Sequence, residues 1–273
     1  TDSTTGESKS ILHNSKFIDN QQGQISSGNN LTIKSNYLNN SNSNDTSKSG
    51  GYLYSNGNMD LINLNNNSGL IESNGNIIIS NTSNIGNADN IVDNNTNNNT
   101  SNANNTTNSN SDTTDTNTNT SDTPSGLNTL YNTKGTILST NSKSLIKLSS
   151  ANSIINSDGN IITNGDITIN VLADYIINGN IYSNSNIDIT ALNITNNSNI
   201  TSGNNITFNS TGNITNGSVT NANASIVAMN NLIFNILRDT TNGSDSSSEL
   251  YNNTGNLYNY GKILTGNDLT INA

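Results

Sequence analysis

The chain has 273 residues, of which 29% are hydrophobic and 66 are asparagine, and its net charge is −10. So few large apolar side chains exclude a conventional core of packed helices, and Asn, Ser, Thr and Gly are poor residues for helix interiors. The absence of cysteine excludes disulfides and thiolate metal sites. The acidic balance argues against nucleic-acid binding. No apolar run reaches the roughly 20 residues that a membrane span requires, so we expect no membrane insertion.

An internal repeat covers most of the chain. Each copy reads apolar-x-Asn, a short turn, apolar-x-Ser or apolar-x-Thr, a second turn, and then apolar-x-apolar. Agreement at this level across six copies indicates a repeat architecture. In chain order the clearest copies are FIDNQQGQISSGNNLTIKS (17–35), NLNNNSGLIESNGNIIIS (63–80), SIINSDGNIITNGDITIN (153–170), YIINGNIYSNSNIDITA (175–191), NITNNSNITSGNNITFN (193–209) and NLYNYGKILTGNDLTINA (256–273).

Aligning the copies gives columns of equivalent residues. The asparagine column contains Asn20, Asn66, Asn132, Asn156, Asn178, Asn196, Asn216 and Asn259. The apolar column contains Ile25, Leu53, Ile71, Ile137, Ile161, Ile181, Ile200, Val219 and Ile263. Ser or Thr stands two residues after each apolar site, except that Asn221 follows Val219. The steps from Ile161 to Ile181, Ile200 and Val219 are 20, 19 and 19 residues, and a period of about twenty is typical of a solenoid.

The apolar-x-apolar segments predict short strands. In pairs such as Ile187/Ile189 and Ile206/Phe208, a period of two places both members on one face, while the residue between them, such as Thr207, faces outward. Strands this short need neighbours, and coils stacked about 4.8 Å apart would join them into continuous parallel sheets. The sequence therefore predicts an all-β fold, a parallel β-helix with three strands per coil, coils of about 20 residues and loop excursions.

Turn residues fill the spaces between the predicted strands. Gly and Asn are suited to the positive φ angles that the corners of a coil require. The repeated asparagine could stack inside a corner as a hydrogen-bonded ladder along the axis, or it could face solvent. We favour the ladder.

The repeat is interrupted. Residues 1–80 and 129–273 are assigned to coils, and 81–128, rich in Asn and Thr, is predicted to be a flexible insertion. A shorter loop is expected at 238–249. The chain begins and ends within the repeat, so we expect it to be a fragment of a longer array. The most apolar segment, SIVAMNNLIFNIL at 225–237, is expected to pack inside; the alternative is an exposed patch for a partner.

No group of residues predicts a catalytic, cofactor or metal site. Asp166 and Asp188 lie one coil apart, and paired carboxylates can perform acid–base catalysis. They fall in different columns, however, so solvated surface carboxylates are the favoured interpretation. His13 is the only histidine and has no visible catalytic partner. An enzyme acting on an acidic sugar would need basic residues beside its acids, and Arg238 is the only arginine.

Two further binding hypotheses are weak. Calcium could bind acidic residues of the insertion, although a solvated acidic loop is the favoured interpretation; these residues are Asp112, Asp115 and Asp122. An ice-binding face would need regular threonine columns, and Ile78 and Asp188 interrupt the only one, which contains Thr168, Thr207 and Thr270.

The repeat resembles the filamentous haemagglutinin repeat of bacterial two-partner secretion exoproteins. NSDGNIITNGDITI (156–169) and NYGKILTGNDLTI (259–271) carry the resemblance most clearly. It implies a right-handed parallel β-helix, display on or release from a Gram-negative cell surface, and export by an outer-membrane transporter partner. The chain departs from the family pattern in its high Asn content and its long Asn/Thr-rich segment, and it lacks a match to the family's amino-terminal secretion domain.

The sequence and the resemblance together suggest a non-enzymatic structural and adhesive segment of a large secreted surface protein. Its partners would be host or bacterial surface receptors, either glycan or protein. Two alternatives stay open: the stalk of a contact-dependent toxin-delivery protein, and a carbohydrate-active β-helix enzyme.

The predicted faces can be tested with two aspartate substitutions. Ile187→Asp should lower the free energy of unfolding by several kcal/mol, because it places an unpaired charge in a narrow core. Thr207→Asp, on the outward face, should cost far less. Thermal and urea denaturation followed by circular dichroism measure both, and equal costs would mean that the inward and outward faces are assigned in reverse.

Overall fold

The computed structural model describes residues 9–15, 17–42, 49–81, 129–236 and 255–273, with backbone alone for the first of these ranges. These residues contain strands and turns and no helix. Apart from Asn81, the predicted insertion at 81–128 lies outside the described residues, as does the predicted loop at 238–249.

Three strands make up each full coil. In chain order the strands are β1 (Lys9–Ser15), β2 (Ile18–Asp19), β3 (Gln24–Ser27), β4 (Asn30–Ser35), β5 (Leu38–Asn39), β6 (Tyr52–Ser55), β7 (Met59–Ile62), β8 (Leu64–Asn65), β9 (Leu70–Ser73), β10 (Ile77–Asn81), β11 (Thr129–Tyr131), β12 (Thr136–Ser139), β13 (Leu145–Ser150), β14 (Ser153–Ile155), β15 (Asn160–Thr163), β16 (Asp166–Val171), β17 (Tyr175–Ile177), β18 (Asn180–Ser183), β19 (Ile187–Ala191), β20 (Ile194–Asn196), β21 (Asn199–Ser202), β22 (Ile206–Ser210), β23 (Ile214–Asn216), β24 (Ser225–Ala228), β25 (Leu232–Ile236), β26 (Leu257–Asn259), β27 (Lys262–Thr265) and β28 (Leu269–Asn272).

Every third strand joins the same sheet. Sheet 1 has ten strands, from β1 and β4 through to β25 and β28, and sheet 2 has nine, from β3 and β6 through to β27. Sheet 3 comes in two sections, β2-β5-β8-β11-β14 and β17-β20-β23-β26. All strand pairs between coils are parallel, as between β16 and β19 or β12 and β15. The predicted all-β architecture of stacked parallel strands, which fits a parallel β-helix, is therefore confirmed. Its right-handed sense stays a prediction.

The stack resumes in register after both long intervals between described residues. β10 pairs with β13, matching Ile77 to Ile146, and β25 pairs with β28, matching Phe234 to Ile271. Ten strands spaced about 4.8 Å apart make sheet 1 about 43 Å long. The register of the sheets is therefore the same on both sides of these intervals in the chain.

The core is a set of apolar columns that run along the stack. Ile167, Ile187 and Ile206 are fully buried and lie above one another, and Phe208 stacks on Phe234 with ring centroids 5.2 Å apart. The residues between them face outward, as predicted. Each coil buries only a few side chains, so a chain with 29% hydrophobic residues can still fill its interior.

A ladder of buried asparagines occupies the corner between sheets 3 and 2. The Nδ2 of each asparagine donates to the Oδ1 of the next at 2.7 Å, from Asn20 through Asn40, Asn66 and Asn132 to Asn156. A second ladder runs from Asn196 through Asn216 to Asn259, at 2.8 and 2.9 Å. These amides also donate to backbone carbonyl oxygens, as Asn132 does to Gly135. The predicted ladder is confirmed for the asparagine column, and Asn40 joins it.

Asn178 was assigned to this column wrongly. Its neighbour Ile177 pairs with Asn196 and is buried, whereas Asn178 is exposed and accepts a hydrogen bond from Asn197. The reason is the alternation of β17, which turns Tyr175 and Ile177 inward, so that Asn178 comes one residue after the ladder position. The isoleucine at that position divides the ladder in two. In the same coil the fully buried hydroxyl of Tyr175 has no hydrogen-bond partner within the described part of the chain.

Val219 was also assigned wrongly. Ile226 takes its place, because Ile200 pairs with Ile226, and Val219 is 85% exposed. Eight residues, 217–224, leave the coil after Asn216 and form a turn with a Ser218–Asn221 bridge. The residue two positions after the apolar site is therefore Ala228 rather than Asn221.

The apolar segment at 225–237 packs inside over its described residues. It forms β24 and β25, and Ile226, Leu232 and Phe234 are buried. Met229, in the turn between the two strands, is exposed.

The Ser/Thr position that recurs in the copies of the repeat forms a second polar column, at the corner between sheets 2 and 1. The Ser183 hydroxyl donates to the Gly165 carbonyl oxygen at 2.6 Å and accepts from the Ser185 backbone N–H at 2.8 Å. Ser55 and Ser73 make equivalent contacts in other coils. One hydroxyl thus holds the turn of its own coil and links it to the coil before.

The turn glycines are needed for close approach. In four turns the positive φ belongs to the residue two positions after the ladder asparagine, namely Gln22, Ser68, Lys134 and Asp158. The glycine that follows lies against the preceding coil: a Cβ on Gly135 would lie 2.2 Å from the Asn66 carbonyl oxygen. The prediction that Gly and Asn supply the positive φ angles is therefore wrong for these four turns.

The ladder can be tested with two asparagine substitutions. Asn132→Ala should lower the free energy of unfolding by about 2 kcal/mol, because it removes one hydrogen bond of the Asn66 amide and leaves the buried Asn156 Oδ1 without its donor. Asn178→Ala, which belongs to the same sequence pattern but lies on the surface, should change it by less than about 0.5 kcal/mol. Urea denaturation measures both. Similar values for the two variants would contradict a structural role for the ladder.

Candidate functional surfaces

The two carboxylates singled out by the sequence occupy different positions of sheet 1. Thr168, not Asp166, is the partner of Asp188. Asp166 stands at the start of β16 and accepts hydrogen bonds from the backbone N–H and the Nδ2 of Asn186, both at 3.0 Å. Other coils have asparagine at this position, where for example the Asn58 Oδ1 accepts from the Asn76 N–H. Asp166 therefore has the same coil-linking role as those asparagines.

The pKa values of the two carboxyls are shifted in opposite directions. Burial acts to raise the pKa of Asp166, but hydrogen bonds from Ser185 and Asn186 outweigh it, so its pKa lies below the ordinary value of 3.8. Burial raises the pKa of Asp188; a hydrogen bond from Thr207 opposes this shift and the charge of Asp166 adds to it. Divergent pKa values are found in catalytic pairs, but they arise here from ordinary neighbours on a sheet surface.

A cluster of two tyrosines and a glutamate lies on the outer face of sheet 2. The Tyr52 hydroxyl donates to the Glu72 carboxylate at 2.8 Å, and the rings of Tyr52 and Tyr54 are 6.1 Å apart. Burial and the neighbouring Glu72 raise the pKa of Tyr52 to about 12. The cluster ties two adjacent coils together and keeps the phenol protonated over the physiological range.

The outward faces of sheets 1 and 2 differ in chemistry. Along the middle of sheet 1 the outward side chains change character from coil to coil, from Asp60 through Ile78 and Lys147 to Thr168 and Asp188. Their shared column confirms that Ile78 and Asp188 interrupt the threonine array. This column gives no repeated surface for a ligand.

Sheet 2 has a largely apolar column on its outside, with threonine at one position, which we call the sheet 2 stripe: Leu138, Ile162, Tyr182, Thr201 and Val227. These residues pair in register from β12 to β24. Tyr182 is 41% exposed and the others are half-buried. An apolar column that runs along the outside of a solenoid is unusual, because the outward position normally holds polar residues.

Rows of amide and hydroxyl side chains flank the stripe on both sides. On one side Asn180 donates to Asn160 at 3.1 Å, Asn199 donates to Asn180 at 3.2 Å, and Ser225 donates to Asn199 at 2.7 Å. On the other side Asn184 donates to Asn164 at 2.7 Å, and the Tyr182 hydroxyl donates to the Asn184 Oδ1. The result is a strip with one polar edge along all five coils and a second that is polar beside β12, β15 and β18, since Gly203 and Met229 stand there in the last two coils.

The five strands from β12 to β24 carry no charge on this surface: their outward residues include no Asp, Glu, Lys or Arg. The nearest charged residues of these coils are in the adjoining turns, Lys134 and Lys143 beside β12 and Asp158 before β15. The stripe was not predicted from the sequence, although a signal was present. In the apolar-x-Ser motif the middle residue reads Leu138, Ile162 and Tyr182 in three successive copies.

The remaining sequence candidates do not form a site that the structure describes. The His13 side chain, Arg238 and the acidic residues at 112, 115 and 122 lie outside the described side chains. Within the described residues no group of three His, Asp or Glu could hold a metal ion. The described part of the chain also has no helix long and apolar enough to span a membrane.

The opposite pKa shifts of the two carboxyl groups predict that replacing each aspartate by asparagine changes stability with opposite sign at neutral pH. The raised pKa of Asp188 means that its contribution to stability is present below pH 3.8 and is lost as the pH rises through its folded-state pKa. Asp188→Asn should therefore raise the melting temperature at pH 7 and leave it nearly unchanged at pH 3. The lowered pKa of Asp166 has the opposite effect, so Asp166→Asn should slightly lower the melting temperature at pH 7. Calorimetry at the two pH values tests both signs, and shifts of the same sign would contradict the assignment.

Comparison with known proteins adds no relative to this geometry: no protein-family model, no curated protein and no solved structure matches the chain.

Proposed function

We propose that the chain is a non-enzymatic structural and adhesive segment of a large secreted surface protein. The observation that carries the proposal is the stack itself. Its sheet 1 continues through ten strands in register, and asparagine and hydroxyl columns link successive coils from inside. Such a stack is a stiff rod in which every coil places its outward side chains above those of the coil before. A rod of this kind suits a protein that projects binding surfaces away from a cell.

The resemblance of the repeat to filamentous haemagglutinin repeats supports the proposed location. By that resemblance the segment is secreted by an outer-membrane transporter partner and displayed on a Gram-negative cell. The surface of the rod is compatible with export and exposure, because it has no cysteine to oxidise and its outward turns are rich in uncharged polar residues.

The stack favours one alternative as well. A stiff rod that holds its two ends at a fixed distance would also serve as the stalk of a contact-dependent toxin-delivery protein. The partly apolar stripe on the outer face of sheet 2 is what favours an adhesive role, since a spacer needs no such surface. The carbohydrate-active enzyme is disfavoured by Asp166, whose hydrogen bonds to Asn186 fit a structural role.

Adhesion should be directly measurable. Fluorescently labelled chain should bind bacterial or epithelial cells, or extracellular matrix, more strongly than an equally acidic non-adhesive protein does, as measured by flow cytometry and by binding to coated plates. Binding at the level of that protein on every surface would refute the adhesive role. Turnover of a polysaccharide that is lost in Asp166→Asn or Asp188→Asn would refute the non-enzymatic assignment.

A further inference from the structure

We propose that the sheet 2 stripe is a binding site for an extended neutral polysaccharide that lies along the axis of the stack. The proposal deepens the adhesive function and rests on it. The stripe spans five consecutive coils, which at about 4.8 Å per coil gives a strip on the order of 20 Å long. A strip of that length, one side chain wide, suits a linear chain of sugar units better than a compact ligand.

The apolar floor matches one side of a sugar ring. Leu138, Ile162 and Tyr182 occupy adjacent coils and point outward from the same column. Sugar rings present apolar C–H faces, and these pack on flat aromatic and aliphatic surfaces with the hydroxyl groups directed sideways. The exposed Tyr182 ring supplies the largest such surface on the stripe.

The flanking rows match the edges of a sugar ring. A side-chain amide has two N–H donors and an oxygen with two acceptor positions. Asn180 donates to Asn160 and its oxygen accepts from Asn199 and Ser198, which leaves its second N–H donor for a ligand. Asn184 on the other side donates to Asn164 and accepts from Tyr182. Hydroxyl groups of a ligand can therefore find hydrogen-bonding side chains at all five coils along the first edge and at three coils, those of Thr140, Asn164 and Asn184, along the second.

The surface is already ordered before a ligand arrives. The Tyr182 hydroxyl donates to Asn184, and Asn184 is fixed in turn by Asn164. Strand pairing to Ile162 and Thr201 holds the backbone on both sides. Since little side-chain freedom remains to be lost, a ligand that makes only a few weak contacts per sugar can still bind.

Charge decides the class of ligand. The chain as a whole has a net charge of −10, yet the outward residues of the five sheet 2 strands from β12 to β24 are uncharged. These strands offer an anionic polysaccharide no basic partner and a cationic peptide no acidic one. A neutral polysaccharide needs neither.

The width of the stripe argues against a second copy of this chain as its occupant. Stable protein interfaces bury about 1,600 Å² around a broad apolar centre. Here the apolar strip is a single column with polar rows such as Asn160–Asn180–Asn199 along its edge. Water would have to be removed from those amides without a matching set of partners.

The test uses the whole chain and a panel of soluble oligosaccharides. Isothermal titration calorimetry with cellohexaose, chitohexaose and mannohexaose provides the neutral set, and heparin and polygalacturonate provide the anionic set. At least one neutral oligosaccharide should bind, and the anionic ones should not. Tyr182→Ala should weaken that binding roughly tenfold. Ile162→Glu should abolish it, and it should fold normally because Glu72 stands in the same column of another coil.

The matched control is Tyr258→Ala, which removes a tyrosine of similar exposure, 44%, from the outer face of sheet 3. It should leave binding unchanged. No binding by any neutral oligosaccharide, or equal effects of Tyr182→Ala and Tyr258→Ala, would overturn the proposal. So would sedimentation showing a dimer that Tyr182→Ala dissociates in the absence of glycan binding, because the stripe would then be a self-association surface.

The outcome can be separated from that of the adhesive function. Cell binding that survives Tyr182→Ala and Ile162→Glu would leave the adhesive role intact and reject the stripe as its site. Oligosaccharide binding through Tyr182 without any cell binding would keep the stripe and reject the adhesive role.

Discussion

The fold depends on satisfying polar groups at corners that are buried between coils. A solenoid built largely from Asn, Ser, Thr and Gly has many such groups, and each would cost free energy if it were left unpaired. The chain meets this constraint because polar side chains in one coil form hydrogen bonds with polar groups of the neighbouring coil. Asn132 accepts from Asn66 and donates to Asn156, and Ser183 performs the corresponding task at the opposite corner. The Asn and Ser residues, whose abundance suggests a disordered chain, thus form the buried corners of the coils.

Much of the fold could be predicted from the sequence, because alternation fixes which residues face inward. Ile187, Ile189 and Phe208 point into the core as their spacing requires, and the register of neighbouring strands follows from the shared pattern. The residue that enters each column was harder to predict at two places. An asparagine one position after the inward Ile177 and several extra residues after Asn216 leave the local pattern looking intact, yet in each case a different residue enters the column. Asn178 and Val219 match the sequence pattern, but the strand register places Ile177 and Ile226 in the columns instead.

The candidate site could not be read from the same pattern, because the repeat rules constrain inward positions and leave outward ones free. The middle residue of apolar-x-Ser has no packing role, so leucine, isoleucine or tyrosine there is informative only when neighbouring coils are aligned. Leu138, Ile162 and Tyr182 are separated by about twenty residues in the chain and become adjacent only in the stack. The flanking amides carry even less signal in a sequence with 66 asparagines.

The isoleucine at position 177 has a consequence for how the rod comes apart. In a linear stack each coil contacts mainly its two neighbours, so the cooperativity of unfolding depends on the strength of the interfaces between neighbouring coils. At this coil the strands of sheet 3 belong to separate sections, and a buried phenol lacks a partner among the described residues. Asn156 has no amide oxygen to donate to in the next coil and donates to the Asn180 backbone oxygen instead, beside a backbone hydrogen bond from Asp158 to Asn178. Fewer hydrogen bonds therefore join the two coils at this corner than join coils linked by the asparagine ladder, and the coupling along the rod is lowest at this corner.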